Sequence, residues 1–439
     1  NQTDGVAVFS DEIRNMLKSG FGSEGQPKFL TGGAQVLEDI FNNIIGLPSN
    51  VNADDPGDII QYIAAHDNLT LHDVIAQSIK KDPAKYAQEI HQRIRLGNLM
   101  ILTSQGTPFI HAGQEFGRTK QFRHEDYITT VDEAPYKTTY LVDEDGKPFE
   151  YPYFVHDSYD ATDMINKFDW NMALNEEMYP IHTQTQAYTK GLIHLRRAVD
   201  AFRWGTQEEV EENVRFINAP EMSGTDLVVA YEVTDSQGNR YAVFINSDES
   251  DREFTFPEGF EVIGTGEVIV DGLTAGTEAI LNPEGVVLND GSITLSPLTA
   301  TIIRYAADGG PVEGGDDGET PEVPGENEIP ETPGNPENPE PPETPTEPDE
   351  DPSESDGNEI PEDETEQPGE SDDTDEDSEG TIDEGSSIDL ENTDVDQSSV
   401  GLLPATGEEK QYAIFSAAAL AVLSGVGLIA STRKKEEVE

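Results

Sequence analysis

No cysteine occurs anywhere in the 439 residues, which excludes a disulfide framework, a thiolate metal site and a cysteine nucleophile. That absence is compatible with an oxidising exterior without requiring one. Positive charge is scarce: 26 Lys and Arg face 89 Asp and Glu, for a formal net charge of -63. The shortage is local, because no Lys or Arg stands between Arg304 and Lys410, where roughly three dozen carboxylates are crowded. Such a chain repels nucleic acid and anionic lipid, and no nucleic-acid partner is expected. Metal-ligand spacing is also missing. His72, His91, His111 and His124 form no zinc pattern, and the carboxylates beyond Asp308 lack an ordered loop with glycine at its sharp turn, so the sequence indicates no cofactor and no dedicated calcium site. The first residue is Asn1 rather than Met and no signal peptide precedes it, which reads as a break in a longer chain.

Residues 1–203 alternate between strand-like and helix-like segments. The short apolar run Gly5-Val6-Ala7-Val8-Phe9 precedes Ser10 or Asp11 as a helix cap, and helical patterns follow at 35–45, 73–80, 86–102 and 185–202. The apolar run Ile59-Ile60-Gln61-Tyr62-Ile63-Ala64-Ala65 has the length of a buried strand, and strand, helix, strand in this order implies a parallel sheet. Residues 118–170, rich in Tyr, Asp, Pro and Gly, are too long for a connector and read as a functional rim loop. Within residues 204–307, from about Val214 onward, the period changes to two. The runs 227–233 and 240–245 flank Ser236-Gln237-Gly238-Asn239, a hairpin signal, so this part reads as a separate small all-β sandwich. Residues 308–402 have almost no apolar content and read as a disordered acidic linker held extended by proline and self-repulsion. Residues 403–439 close the chain with a nearly unbroken apolar run at 412–430, about 28 Å of helix and near the minimum for one transmembrane span, followed by Arg433-Lys434-Lys435.

Two segments carry the chemistry. His66-Asp67-Asn68 follows the buried strand, at the C-terminal rim where a barrel of parallel strands collects catalytic side chains. Some forty residues on, Gly106-Thr107-Pro108-Phe109-Ile110-His111-Ala112-Gly113-Gln114-Glu115 repeats the design, a short apolar strand bracketed by glycines and ending in polar groups. Together these segments resemble the last strands of an α-amylase-type (β/α)8 barrel, and Asn68 resembles the pullulanase branch of that family. The fold class implied is α/β: the C-terminal part of the barrel, about strands six to eight, followed by the β sandwich, the linker and the span.

By that resemblance Asp67 stabilises the transition state at the reacting sugar, with His66 hydrogen-bonding the same ring, while the nucleophile and acid/base carboxylates of glycoside hydrolysis come from elsewhere. The stretch Asp157-Ser158-Tyr159-Asp160-Ala161-Thr162-Asp163-Met164-Ile165-Asn166-Lys167-Phe168-Asp169-Trp170 is similar to the pullulanase segment lining the next glucose subsite. Tyr159 and Asp163 would then contact the neighbouring glucose, Asn166 would hold the loop, and Trp170 would pack beneath it. Lys167 stands where many relatives have arginine and lacks the planar fork, so contact there would be looser. Glu115 and Arg118 would brace loops, and Asp11 with Arg14 reads as an ordinary cap and surface ion pair. No segment before His66 resembles the strand-four Arg-x-Asp nucleophile motif or the strand-five acid Glu. The resemblance therefore implies that the chain starts after the fifth strand, that its open sheet exposes unpaired edges, and that it hydrolyses nothing alone.

At the other end, Leu403-Pro404-Ala405-Thr406-Gly407, the apolar run and the basic tail resemble the sorting signal of Gram-positive wall-anchored proteins. That implies sortase cleavage between Thr406 and Gly407, peptidoglycan as the covalent partner, and a cell-surface location. The function implied is a retaining α-glucan debranching hydrolase acting on α-1,6 branches of pullulan, glycogen or amylopectin. The rival readings are another α-amylase relative and a non-catalytic surface glycan-binding protein or adhesin.

Overall fold

A computed structural model describes residues 6–20 and 22–309. The acidic linker beyond 309, the Thr406-Gly407 bond and the apolar run at 412–430 lie outside the described residues. Among the described residues, no helix is long and apolar enough to cross a membrane.

The α/β part runs β1 (Val8–Phe9), α1 (Asp11–Leu17), β2 (Gln35–Val36), α2 (Leu37–Ile44), β3 (Ile59–Gln61), α3 (Leu71–Ile79), α4 (Pro83–Thr103) and β4 (Thr107–Pro108). β1, β3 and β4 form a three-stranded parallel sheet in that order, with Val8 opposite Ile59 and Ile60 opposite Thr107. Parallel neighbours cannot be joined by a tight hairpin, so helices fill both crossovers. β3 is shorter than its apolar run because its partner β4 ends at Pro108, which has no N–H for the ladder; one more bond, Phe109 N to Gln61 O at 2.8 Å, closes it. The fully buried Gln61 amide then donates to Asn43 O at 2.7 Å and Gln105 O at 3.0 Å. Among the described residues β1 lies at the edge of this sheet, with Val8 39% and Phe9 43% accessible.

Helix boundaries differ from the sequence expectation where proline opens the helix. Pro83 occupies the first turn of α4 behind the Asp82 cap, whose carboxylate accepts from Ala84 N at 3.0 Å, and Pro180 does the same for α7 (Pro180–Ala198). The expected helix over 35–45 loses its first two residues to β2, which pairs with a strand of the β part.

Residues 118–170 are not one loop. They contain an antiparallel hairpin, β5 (Thr138–Val142) and β6 (Pro148–Val155), with Thr138 opposite Val155 and Tyr140 opposite Tyr153. Its turn is closed by Gly146 N to Asp143 O at 3.0 Å, with Gly146 at φ 78°, a conformation that favours glycine. Phe149 and Phe154 anchor the hairpin in the core, and Asp82 Oδ2 accepts Glu150 N at 2.8 Å. Two short helices follow, α5 (Asp163–Asn166) and α6 (Trp170–Leu174), before α7.

The β part follows α8 (Gln207–Asn213). Its strands are β7 (Val214–Phe216), β8 (Thr225–Asp226), β9 (Val228–Thr234), β10 (Asn239–Asn246), β11 (Arg252–Thr255), β12 (Glu267–Val270), β13 (Val286–Leu288), β14 (Ser292–Leu295) and β15 (Thr299–Ala306). Apart from β8, which pairs with β2, they form a five-stranded sheet, β12-β15-β10-β9-β7, and a three-stranded sheet, β11-β14-β13, all antiparallel. β9 and β10 make the hairpin read from the sequence, its turn held by Asp235 Oδ1, which accepts Gln237 N and Asn239 N.

The five-stranded sheet is buried on both faces. Val228, Ala230, Ala242, Phe244, Ile303 and Tyr305 meet Phe254, Ile293 and Leu295 of the smaller sheet. Their alternates Val229, Tyr231, Val233, Val243, Ile245 and Ile302 share one core with Leu99, Leu192 and Leu195 of α4 and α7. The two parts are therefore layers of one compact unit with continuous packing, not separately folded bodies.

The tightest approach along this seam is at Gly191 on α7, where a Cβ would stand 1.9 Å from Ala275 O. Alanine normally gains about 1 kcal/mol over glycine inside a helix. Here the clash reverses the sign, and Gly191→Ala should destabilise the unit by about 1–3 kcal/mol, the usual cost of overpacking. Urea unfolding measures it; an unchanged or raised midpoint would mean that the seam yields freely.

Candidate functional site

Three chain segments meet at the C-terminal end of the parallel sheet: residues 62–70 after β3, residues 109–121 after β4, and residues 156–170 after the hairpin. What brings them together is one buried carboxylate. Asp73, fully buried in the first turn of α3, accepts from Thr119 Oγ1 at 2.5 Å, from Lys120 N at 2.7 Å and from His72 Nδ1 at 2.9 Å. α3 itself starts at Thr70, whose hydroxyl accepts Asp73 N at 3.3 Å.

Lys120, 2% exposed, then reaches both outer segments. Its Nζ donates to Asn68 O at 2.6 Å and to Ser158 Oγ at 3.3 Å, while Val155 N donates to Lys120 O at 3.0 Å. Arg118 Nη2 donates to Ile165 O at 2.9 Å, and Asn166 Nδ2 donates to Ser158 O at 2.7 Å and Ala161 O at 3.1 Å. The result is a cavity of about 260 Å³ lined by His66, His111, Ala112, Arg118, Ser158, Asn166 and Phe168.

The residues singled out from the sequence fall into two groups. His66 and Asn166 line the cavity, and Asp67 is tied to the first of them, His66 Nε2 standing 3.0 Å from Asp67 Oδ1 with side chains 83% and 65% exposed. An accessible carboxylate beside an imidazole can accept sugar hydroxyls without first losing a protein partner. Asn68 lies at the edge of the same loop in the left-handed conformation, φ 61°, and its Oδ1 accepts Leu69 N at 2.7 Å, so its amide oxygen shapes the turn while its main-chain carbonyl is held by Lys120.

Asp163, Lys167 and Tyr159 do not line the cavity. Asp163 opens α5 and is exposed; Lys167 is exposed with Nζ 3.7 Å from Asp169 Oδ2; Tyr159 is 94% exposed. Trp170, expected beneath the loop, is 66% exposed and leans on Phe168 with ring centroids 4.5 Å apart, which makes the cavity wall continuous with an exposed indole.

Asp11 does not cap α1: the cap position belongs to Ser10, whose hydroxyl instead lies 3.3 Å from Asn43 Oδ1. The ion pair is present, Arg14 Nη1 to Asp11 Oδ1 at 3.1 Å, and the Tyr62 hydroxyl, which donates to Asp11, also accepts from Arg14. Glu115 Oε2 accepts Gly113 N at 2.8 Å and so braces the turn before Arg118. Among the described residues, no group of three or more His, Asp or Glu is arranged to hold a metal ion.

Sequence reasoning passed over Lys120, His111, Ser158 and Phe168 as site residues. Ser158 and Phe168 lie inside the segment whose ends had been singled out. Lys120 and His111 flank the Gly113-Gln114-Glu115 turn, and no spacing rule marks a lysine that acts through carbonyls.

Residues 213–306 match the SpuA C-terminal family, and residues 395–438 match the LPXTG cell wall anchor motif. Pullulanase A of Streptococcus pneumoniae is 52% identical over 315 residues, 70% of this chain and 24% of the relative. The solved catalytic module of the glycogen-degrading pneumococcal virulence factor SpuA, in complex with an inhibitor, aligns at 52% identity and TM-score 0.66 over 68% of this chain and 43% of that one. The Group B Streptococcus pullulanase SAP aligns at 52% identity and TM-score 0.67 over 70% of this chain and 40% of that one.

The class these likenesses define is the pullulanase-type glycoside hydrolases. Within it, the chain is a Gram-positive pullulanase homologue carrying an LPXTG cell wall anchor motif, and it spans about a quarter of the length of the curated relatives it matches.

Beneath the site three imidazoles meet edge to face, His72 to His91 at 6.0 Å and His91 to His182 at 4.5 Å between centroids. His91 is fully buried with Nδ1 on Thr185 Oγ1 at 2.9 Å, and His182 Nδ1 donates to Phe116 O at 2.7 Å. Burial, then neighbouring positive charge, holds His91 well below its ordinary value. His111 and His182 are each pulled down to about 4, chiefly by burial.

A histidine whose folded value is depressed binds its proton more readily in the unfolded chain. Stability is therefore fully present above about pH 6.5, falls as pH drops through that value, and levels off near the folded value of about 4. His182→Gln, which keeps a donor for Phe116 O, should flatten the fall of the urea midpoint between about pH 6.5 and 5. A slope identical to wild type would show that His182 does not contribute.

Proposed function

We propose that this chain forms one side of the glucan-binding rim of a cell-surface α-glucan debranching hydrolase of retaining mechanism, acting on α-1,6 linkages of pullulan, glycogen or amylopectin. The observation that supports the reading is the convergence of the His66-Asp67-Asn68 loop with residues 156–170 around one cavity, joined through Lys120 and Arg118. A second likeness bears on the ligand: the Group B Streptococcus pullulanase SAP has been solved in complex with maltotetraose.

In this reading Asp67 accepts hydroxyl hydrogen bonds from the reacting glucose ring, and these strengthen as the ring flattens toward the oxocarbenium-like transition state. His66 shares that ring. Asn166 holds the loop in place, Asp163, Tyr159 and Lys167 face the neighbouring glucose, Asn68 keeps the turn, and Trp170 supplies an apolar surface at the edge. In this reading the nucleophile and the acid/base carboxylate are supplied by another part of the whole pullulanase. Sortase would join Thr406 to peptidoglycan after the span at 412–430 has held the precursor in the membrane, with residues 308–402 as an acidic linker crossing the wall. In domain terms residues 1–203 complete the barrel and 204–307 pack against it.

The test uses both forms of the protein. In the full-length pullulanase, Asp67→Asn should lower kcat on pullulan by roughly two to four orders of magnitude, the scale for removing a group that acts in the transition state, while KM changes little. The 439-residue chain alone should release no reducing sugar from pullulan yet shift its His66 and Asn166 signals on titration with maltotetraose. Full activity of the Asp67→Asn enzyme would sink the assignment of Asp67. An unperturbed spectrum at saturating maltotetraose would sink the glucan reading of the cavity.

A further inference from the structure

The eight histidines of the chain all fall among the described residues, and one of them differs from the rest. Six place a ring nitrogen on a protein partner: His66 on Asp67, His72 on Asp73, His91 on Thr185, His124 on the Asp126 main chain, His156 on Thr139 and His182 on Phe116 O. His194 is exposed on α7. His111 belongs to neither group. It stands half-buried in the cavity wall, and its ring makes no hydrogen bond or ion pair among the described residues. Neither ring nitrogen is sealed from solvent, so both are free to meet whatever enters. The fold itself uses only the His111 main chain, whose carbonyl accepts Gln114 N at 2.8 Å.

A polar ring taken partly out of water without a protein partner forfeits hydrogen bonds that only the contents of the cavity can restore. Charge decides what those contents are. Burial first, then the positive charges of Arg118, Lys120, His66 and Lys18, pull the imidazole down to about 4, which leaves it neutral in neutral solution. A neutral imidazole offers one N–H donor and one nitrogen acceptor, and it draws neither an anion nor a cation by its own charge. A hydroxyl, at once donor and acceptor, matches either nitrogen, and Phe168 adds an apolar surface in the same wall.

We infer that His111 is a further sugar-contacting residue, its two ring nitrogens taking hydroxyls of a neutral glucan bound in this cavity beside His66. This rests on the glucan reading proposed above and adds to it a contact from the segment after β4. His66 and His111 then grip the sugar from two different loops, the first tied to Asp67 and the second held ready by having no tie at all.

The experiment labels the 439-residue chain with heavy nitrogen and follows its imidazole and amide signals on titration with maltotetraose in neutral buffer. Both His111 ring nitrogens should shift saturably, with the same midpoint as His66, while His194 stays still. His111→Leu removes donor and acceptor together and should weaken maltotetraose binding about tenfold, the scale for two neutral hydrogen bonds. His111→Gln keeps one of each and should recover most of that loss. In the full-length pullulanase the His111→Leu loss should appear in KM for pullulan more than in kcat, because a hydrogen bond to a hydroxyl that stays neutral favours substrate and transition state alike. A structural role alone would lower the urea midpoint without this split and without rescue by glutamine.

The wild-type titration needs no variant, so it decides the matter even where His111→Leu folds poorly. Shifts at His66 and Asn166 without one at His111, or undiminished affinity in folded His111→Leu, would overturn this inference and leave the glucan reading standing. If none of the three responds at saturating maltotetraose, the glucan reading falls and takes this inference with it.

Discussion

The carboxylate of Asp73 is the constraint on which the site depends. Buried and charged, it would be strongly destabilising without donors, and its three partners come from two different segments, His72 on its own helix and Thr119 with Lys120 after β4. Its place in the first turn of α3 adds the favourable end of the helix dipole. Once residues 119–120 are pinned there, the Lys120 ammonium can lie only where Asn68 O and Ser158 Oγ are, and the two outer segments are drawn to one cavity. The floor is equally specific. Gly117, at φ 73°, passes so close to His91 that a Cβ would come within 2.6 Å of its ring, and Phe116 O is held by His182. The geometry of the rim is thus set by groups buried beneath it.

A second constraint joins the rim to the β part. Arg93, with no exposed surface, donates to Leu30 O at 2.7 Å and lies 2.7 Å from Glu89 and 2.6 Å from Glu249, while Ser247 Oγ donates to Phe29 O at 2.7 Å. Thr103 Oγ1 and Tyr231 hydroxyl are 2.6 Å apart across the same boundary. With β9 buried on both faces, the helices bearing the site rest on a sheet that is itself the middle layer of the unit. Loosening the sheet would therefore be felt at α4 and α7, and through His91 and His182 at the floor of the cavity.

Much of this was legible in the sequence, for identifiable reasons. Apolar periodicity gave the alternation of strand and helix up to β4, and the Gly238-Asn239 turn gave the β9-β10 hairpin. The period-two reading of Val228-Val229-Ala230-Tyr231 implies a strand of a separate sandwich, whereas both faces of the run are buried, one against the smaller sheet and one against α4 and α7. The hairpin within 118–170 went unread although Asp145-Gly146 stands between Tyr140-Leu141-Val142 and Phe149, because Pro148 and the surrounding acidic residues masked its period. His66 and Asn166 were readable from the segments that carry them. Lys120 was not, because its role lies in reaching one main-chain carbonyl and one side-chain hydroxyl some forty to fifty residues away, and sequence distance hides that.

The distribution of charge follows a consistent logic. With few cations available, the chain uses several of them inside, as donors to main-chain carbonyls: Arg196 to Leu102, Ser104 and Gly106 at the end of α4, Arg95 to Gly272, Arg93 to Leu30, Arg118 to Ile165 and Lys120 to Asn68. What remains is overwhelmingly acidic. A neutral polysaccharide is neither steered nor repelled by that field, whereas polyanions of the bacterial surroundings are repelled. On the proposed function, selection among polymers would occur before contact, by exclusion of the wrong sign, and selection among neutral sugars at the cavity lined by His66 and Asn166.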